Sequence, residues 1–429
     1  MRKDARRYGS PLRTGQLGAG VSRPFWLLWL SQTLSRFGDG FFFLAVNWLV
    51  FQDTRSVWAL GVMACARLGL RALAGVVLGP LSDRVDRRRL MIVLDGVLTL
   101  LMALPLALFL AGRLATWAIY GVVFVITILN APYAPSAYAV LARVAPTGRL
   151  GRANALLAGG REMMYLVGPA VAGVVIARFG APRAMAVDAA TCALSALLLF
   201  ALPPALGPIG RAPTRSGGEG TRPRYAASLA VGWRLIRSDP RLLALTVLNA
   251  IVGSTDTVFL VLMVPFVRVV LGGGATAVGL LEASLSGGVL LVSAFLARSE
   301  WAPRERVVAL SVVVFGLMTA ALAVAPNLLW ALVLQALAGV AIGLFDIRSQ
   351  VVFQSLVGDE RLGRTLAARS TALAAAQAVA ALVAGALPLL VGVAATFGVF
   401  GVAGATLGTV VTFRRRGGQP AATVPLERV

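Results

Sequence analysis

Twelve apolar runs, each long enough to cross about 30 Å of hydrocarbon as a helix, constrain this sequence more than any other feature. They lie at roughly 25–51, 57–81, 90–111, 115–139, 155–177, 184–206, 242–267, 276–297, 306–325, 328–353, 366–391 and 393–413. Lipid offers no hydrogen-bond partners, so every backbone N–H and C=O in such a run must be satisfied inside the protein. The runs are too long and too uniformly apolar for barrel strands, which alternate in polarity. The predicted fold class is therefore all-α and integral to a lipid bilayer, with twelve transmembrane helices.

Charge placement supplies the orientation. The chain of 429 residues carries 40 Lys and Arg against 18 Asp and Glu, a net charge of +22. On a soluble chain that excess suggests nucleic acid, but here the basic residues sort by segment. Segments 1–24, 82–89, 140–154, 207–241, 298–305, 354–365 and 414–429 hold 28 of them. The alternate segments hold five, Arg55, Arg113, Arg178, Arg183 and Arg268. Lys and Arg collect on the cytoplasmic side, so both termini are expected there, and no nucleic-acid partner is implied. No cleavable signal peptide is expected, because the first run is long, contains Arg36 and Asp39, and follows 24 polar residues. A multi-pass protein of the cell inner membrane follows.

Enzyme chemistry lacks its parts. There is no histidine, the two cysteines Cys65 and Cys192 read as small buried apolar residues, and Lys3 is the one lysine. That removes His-based triads, Cys/His metal clusters and a phosphate-loop lysine, so no metal, cofactor or enzymatic activity is expected. The longest polar stretch, 207–241, is rich in Gly, Pro and Arg and turns amphipathic from Tyr225 to Arg237. It reads as a flexible linker followed by a helix at the membrane interface anchored by Trp233. The predicted organisation is a tail (1–24), a six-helix bundle (25–206), the linker (207–241), a second six-helix bundle (242–413) and a tail (414–429).

An internal repeat supports that division. Arg149-Leu150-Gly151-Arg152 after the fourth run recurs 212 residues later as Arg361-Leu362-Gly363-Arg364 after the tenth. Between runs 2 and 3 the sequence reads Gly79-Pro80-Leu81-Ser82-Asp83-Arg84-Val85-Asp86-Arg87-Arg88-Arg89-Leu90. Its tight turn presents a carboxylate among guanidiniums, suited to ion pairs between helices. The segment resembles motif A of the major facilitator superfamily, with Asp86 in place of the second glycine. Ser35-Arg36-Phe37-Gly38-Asp39-Gly40, Arg152-Ala153-Asn154-Ala155-Leu156 and Ser238-Asp239-Pro240 look like the pattern of its subgroup of enterobactin and macrolide exporters. Gly168-Pro169-Ala170-Val171-Ala172-Gly173 resembles motif C of proton-coupled exporters, with Ala172 replacing a glycine, although a generic Gly-Pro helix interface has the same composition. The intramembrane arginine of motif B has no counterpart between Val122 and Ala131.

The resemblance implies two bundles of parallel repeats, a gating turn at Gly79, Asp83, Arg84, Arg87 and Arg88, and an exporter-type helix interface at Gly168, Pro169 and Gly173. Proton coupling would then rest on acids within the runs. Asp39, Asp256 and Glu282 lie deep, at a cost of roughly 2.5–3.5 kcal/mol each near a helix centre, and are the candidates. Asp95, Glu162 and Asp188 lie within about two turns of a run's end, where ion pairing at the interface is the expectation. Arg36 falls three residues before Asp39 on the same helical face, compatible with a structural pair or with coupling. Arg67 and Arg71 share a face and either neutralise acids such as Asp39 or Asp95 or contact an anionic substrate group. Asp346 and Arg348 point to different faces, and each needs a partner elsewhere. Phe41, Phe42, Phe43, Trp48, Phe259 and Phe266 suit either an amphiphile pocket or packing and lipid contact.

The sequence thus points to a monomeric secondary transporter that exports a small-molecule substrate in exchange for protons. A facilitator or importer, and a non-transporting scaffold or receptor on the same fold, are the alternatives. With no nucleotide motif, an ion gradient is the remaining energy source.

Overall fold

A computed structural model of the protein describes residues 22–78, 85–145, 150–203, 225–298, 305–357 and 359–414. Twelve of its helices are long and apolar enough to cross a membrane. Spans 1 to 6 are Arg23–Thr54, Val57–Leu78, Arg87–Leu110, Thr116–Val144, Leu150–Phe179 and Ala181–Phe200. Spans 7 to 12 are Pro240–Val270, Ala275–Arg298, Val307–Val324, Leu328–Leu356, Arg361–Val391 and Val393–Val411. The amphipathic stretch before span 7 forms a helix, Tyr225–Ser238, whose Gly232 lies against Arg364 and Ala368 of span 11. The Gly/Pro-rich part of the linker lies outside the described residues.

We call the face that carries the connection between spans 2 and 3 the basic face. On the opposite face the connections are short, and left-handed residues close several of them: Arg55, Gly112, Gly180, Gly272 and Gly392. Gly180 (φ 84°, ψ 158°) turns span 5 into span 6, and Gly392 (φ 83°, ψ 165°) turns the end of span 11 into span 12. That backbone region is open essentially to glycine alone. The two glycines are 212 residues apart, the same spacing as the Arg-Leu-Gly-Arg repeat. The repeat is therefore expressed in backbone geometry at the opposite face of the two halves.

Two spans depart from smooth helix for local reasons. Span 4 is broken into Thr116–Leu129 and Tyr133–Val144. Pro132 and Pro135 bring no N–H to the ladder, and a turn at Asn130–Pro132 re-aims the second segment. Span 7 runs into a five-residue π-turn, Phe266–Val270, just past Pro265.

Apolar packing is uneven across the membrane. On the opposite-face half one continuous cluster joins both bundles, from Phe41, Val50, Leu60 and Ile176 to Phe259, Phe266, Val278, Ala381 and Phe397. On the basic-face half the cores are separate. One holds Phe25, Leu28, Met91, Leu94, Val140 and Leu199 of the first six spans. Two others hold Leu248, Val312 and Phe345, and Leu242, Leu245 and Phe353, all from the last six. Among the described residues the packing is shared toward one face and divided toward the other.

Span 3 is tied to span 6 at the basic face. Arg88 donates from Nε to the Leu199 carbonyl (3.0 Å) and from Nη2 to the Phe200 carbonyl (2.7 Å), and stacks over the Phe200 ring. Both carbonyls belong to the last turn of a helix, where a cation is favoured. Arg88→Ala is expected to lower stability by about 1–2 kcal/mol for this half-exposed contact, read as a drop in thermal midpoint of the purified protein, with Arg88→Lys recovering part of it.

Candidate functional site

Three helices of the first bundle bring charge to mid-membrane. On span 1, Arg36 Nη1 donates to Asp39 at 2.7 Å, and the two side chains remain 33% and 32% exposed. On span 5, Arg161 pairs with Glu162 at 3.2 Å, again with both side chains partly open. A charge held in hydrocarbon should be shielded from lipid, so this residual exposure marks a wall that faces the space between the bundles. A cavity of about 190 Å³ opens beside these pairs among spans 1, 4 and 5, lined by Arg36, Arg161, Gln32, Thr33, Tyr138 and Asn154 with four small or apolar neighbours. Span 2 adds Arg67, whose guanidinium lies 5.5 Å from the Phe43 ring centre and within electrostatic range of Asp39. Arg71, one turn on, is exposed.

The second bundle contributes acids. Asp256 on span 7 and Glu282 on span 8 are half-buried and within electrostatic range of one another, and Asp346 on span 10 is the next in line. Asp346 faces Arg369 of span 11, which is 6% exposed, donates toward Gln350 (3.3 Å) and Ser349 (3.5 Å) and lies 4.6 Å from the Phe353 ring centre. Arg369 is a functional candidate that the sequence reading passed over. Its signal was available, since it is an arginine eight residues into a helix that carries no acid on its own nearby turns.

Asp95 and Asp188, expected in interfacial ion pairs, are instead fully buried with hydroxyl partners. Asp95 Oδ2 accepts from Ser195 (2.6 Å) and from the Tyr133 phenol (3.2 Å), which in turn accepts from the Gln32 amide (3.2 Å). Asp188 Oδ1 accepts from Thr191 (3.3 Å), and its carboxyl lies directly against span 1 at Gly38. Burial here is set by neighbouring helices, whereas distance from a run's end measures depth along one helix only. Glu162 was likewise expected near an end. Span 5 begins at Leu150 rather than 155, which moves Glu162 to mid-helix.

The remaining motif residues divide between two contacts. Gly168 packs against span 1, with a β-carbon there 3.0 Å from the Phe37 carbonyl oxygen. Gly173 and Pro169 face span 8, where a β-carbon on Gly173 would come 2.6 Å from the Ala275 carbonyl and 3.2 Å from Gly279 Cα. Gly61 of span 2 meets Gly385 of span 11 in the same way. The Gly173 and Gly61 contacts bring backbones of the two bundles together in the opposite-face half. There too, Arg268, carried on the π-turn of span 7, lies 4.8 Å from the Trp48 ring centre of span 1. Of the turn after span 2, Gly79, Asp83 and Arg84 lie outside the described residues, and Arg87 and Arg88 open span 3.

A helical bundle sealed at one face, with opposed charged walls at its centre, is what a solute carrier needs, and similarity to known proteins agrees. The multidrug efflux pump Tap of Mycobacterium tuberculosis is 25% identical over 387 residues, covering 87% of this chain and 89% of Tap. The Tap protein of Mycolicibacterium fortuitum is 25% identical over 409 residues, covering 92% and 96%. Macrolide efflux protein A of Streptococcus pyogenes is 23% identical over 164 residues, 38% of this chain and 40% of that one. Among solved structures, a POT family transporter superposes with a TM-score of 0.72 at 14% identity, over 92% of this chain and 96% of that one. The nucleoside transporter NupG superposes with a TM-score of 0.68 at 12% identity, over 92% and 99%. These last two share the fold. Residues 28–301 match the Major Facilitator Superfamily, and the chain belongs to that family of membrane transporters.

Proposed function

We propose that this protein exports a small amphiphilic molecule, of the drug, antibiotic or siderophore-like kind, from the cytoplasm in exchange for protons. The observation that carries the reading is the uneven packing: one core shared by both bundles toward the opposite face, and separate cores toward the basic face. With the basic face in the cytoplasm, as the distribution of arginine favours, this is a cavity open to the inside and closed to the outside. Alternating access requires such a state and its converse. The efflux relatives support the direction, and the carboxyls at Asp39, Asp256 and Glu282 support the coupling. One proton moving inward through about 100 mV releases roughly 2.3 kcal/mol, enough for about a fiftyfold gradient of a neutral solute. On this reading the protein works as a monomer in the inner membrane with both termini in the cytoplasm.

The test is accumulation of a panel of labelled amphiphiles in cells with and without the protein, each with and without a protonophore. The expected result is lower accumulation of some compounds in the expressing cells, abolished by the protonophore. Net uptake through the protein would make it an importer, and efflux indifferent to the protonophore would remove the proton from the mechanism.

A further inference from the structure

Behind span 1, away from the cavity wall, lies a polar cluster that the proposed coupling residues do not include. Asp95 of span 3 and Asp188 of span 6 are each 0% exposed. One oxygen of each carboxyl, Oδ1 of Asp95 and Oδ2 of Asp188, is buried without a hydrogen-bond partner. The other oxygen of Asp95 takes the Ser195 hydroxyl and the Tyr133 phenol. Ser195 also meets Ser31 Oγ of span 1 at 3.1 Å. Asp188 lies two turns from Ser195 on the same face of span 6, about 10 Å along the helix, and its Oδ1 is approached by Thr191 and Cys192.

The titratable groups around Asp95 come from each helix that meets this cluster. Span 1 brings Arg36 and Asp39, span 4 brings Tyr133, and span 6 brings Asp188 and Cys192. Arg36, the cation among these, is committed to Asp39 at 2.7 Å. An ionised carboxylate sealed from water, with one oxygen bare and other acids in range, has only the two hydroxyl bonds on its other oxygen to set against its desolvation. A neutral carboxyl carrying its proton on that bare oxygen suits the same surroundings. The hydroxyl partners sit on the other oxygen, which leaves the site able to hold or give up a proton without rebuilding the bonds around it.

We propose that Asp95 is a further, occluded proton-binding site, connected to the cavity through Tyr133 and Gln32 and flanked by Asp188. Gln32 lines the cavity and donates to Tyr133, which donates to Asp95, so one hydrogen-bonded chain runs from the cavity wall to the buried carboxyl. Asp188 touches span 1 at Gly38, next to Asp39. Any added side chain at Gly38 would collide with Asp188 and Thr191, so spans 1 and 6 are in backbone-close contact there. The proton on Asp95 Oδ1 exchanges directly with water when span 1 shifts off this contact and lets water reach that oxygen, while the Gln32–Tyr133 chain holds the carboxyl by its other oxygen. Proton occupancy and the seating of span 1 on span 6 are thereby linked, as any ligand is linked to the state that binds it. The site deepens the proposed proton exchange and rests on it for its role in transport, but not for its occupancy.

The full-chain protein in lipid nanodiscs, examined by infrared spectroscopy at neutral pH, reads the occupancy directly. Wild type is expected to show a protonated-carboxyl C=O band that disappears in Asp95→Asn and shifts in Tyr133→Phe. In proteoliposomes Asp95→Asn, which keeps the shape and a hydrogen-bonding amide, is expected to lose proton-driven efflux while retaining substrate counterflow. No band assignable to Asp95, or full proton-driven efflux in Asp95→Asn, overturns the proposal. If Asp95→Asn does not fold, the band shift in Tyr133→Phe decides alone, and an unshifted band counts against the site. If wild-type transport ignores the proton gradient, the antiport reading fails while the infrared result still judges the site.

Discussion

Proteoliposomes containing Gly173→Val are expected to leak protons and to lose most of their coupled efflux. A β-carbon at this position falls 2.6 Å from the Ala275 carbonyl and 3.1 Å from Thr276 Cα of span 8, and backbone cannot yield as a side-chain tip does. Overpacking of this kind costs about 1–3 kcal/mol, here charged to the one state in which the two helices touch. An equilibrium moved by that amount changes by roughly one to two decades, enough to unseat the closed face as the dominant conformation. Gly168→Val separates this effect from general misfolding. Gly168 packs on span 1 within its own bundle, so its substitution is expected to lower thermal stability without a comparable leak. Equal leak from both variants, or none from Gly173→Val, would show that the seam between spans 5 and 8 is not a seal.

Removing one deep acid from each bundle should uncouple transport. In Asp39→Asn/Asp256→Asn, efflux driven by a pH gradient is expected to fall to the level of empty liposomes while counterflow of substrate continues. Asp39 is held by Arg36 yet still 32% exposed at mid-membrane, a position where an idle charge costs roughly 2.5–3.5 kcal/mol. Asp256 belongs to the facing bundle, in electrostatic range of Glu282 and Asp346. Wild-type pH-driven efflux from the double variant would remove both residues from the coupling scheme.

Much of this protein was open to reading from its sequence, and the limits have physical causes. Apolar length is a one-dimensional property, so the twelve spans and the helix at Tyr225–Ser238 followed from the runs and their periodicity. Which residues face each other across helices is not one-dimensional. Asp95 and Asp188 have no cation within a turn, Arg89 and Arg183 being the nearest along the chain. That absence was the available sign that hydroxyls, not arginine, would satisfy them. Tyr133 reaches Asp95 because Pro132 and Pro135 break span 4 just there, a pattern legible as a break but not as an aim. Arg268 counted as a loop charge, and only the π-turn after Pro265 places it over Trp48. The Gly180 and Gly392 pair shared the spacing of the Arg-Leu-Gly-Arg repeat, yet glycine is too common in this chain for that coincidence to stand out without the dihedral angles.

The shared core of Phe41, Phe259, Phe266 and Phe397 has a consequence for a cell that runs out of energy. Opening toward the opposite face means parting these rings and wetting them, at about 25 cal/mol for each Å² of apolar surface uncovered. Among the described residues nothing comparable joins the bundles at the basic face, where each half already keeps a core of its own. On the proposed exchange cycle, a starved protein with no cargo therefore comes to rest as a capped well and not as a pore. The permeability barrier of the membrane is kept by the molecule's own cohesion, without any expenditure to hold it shut.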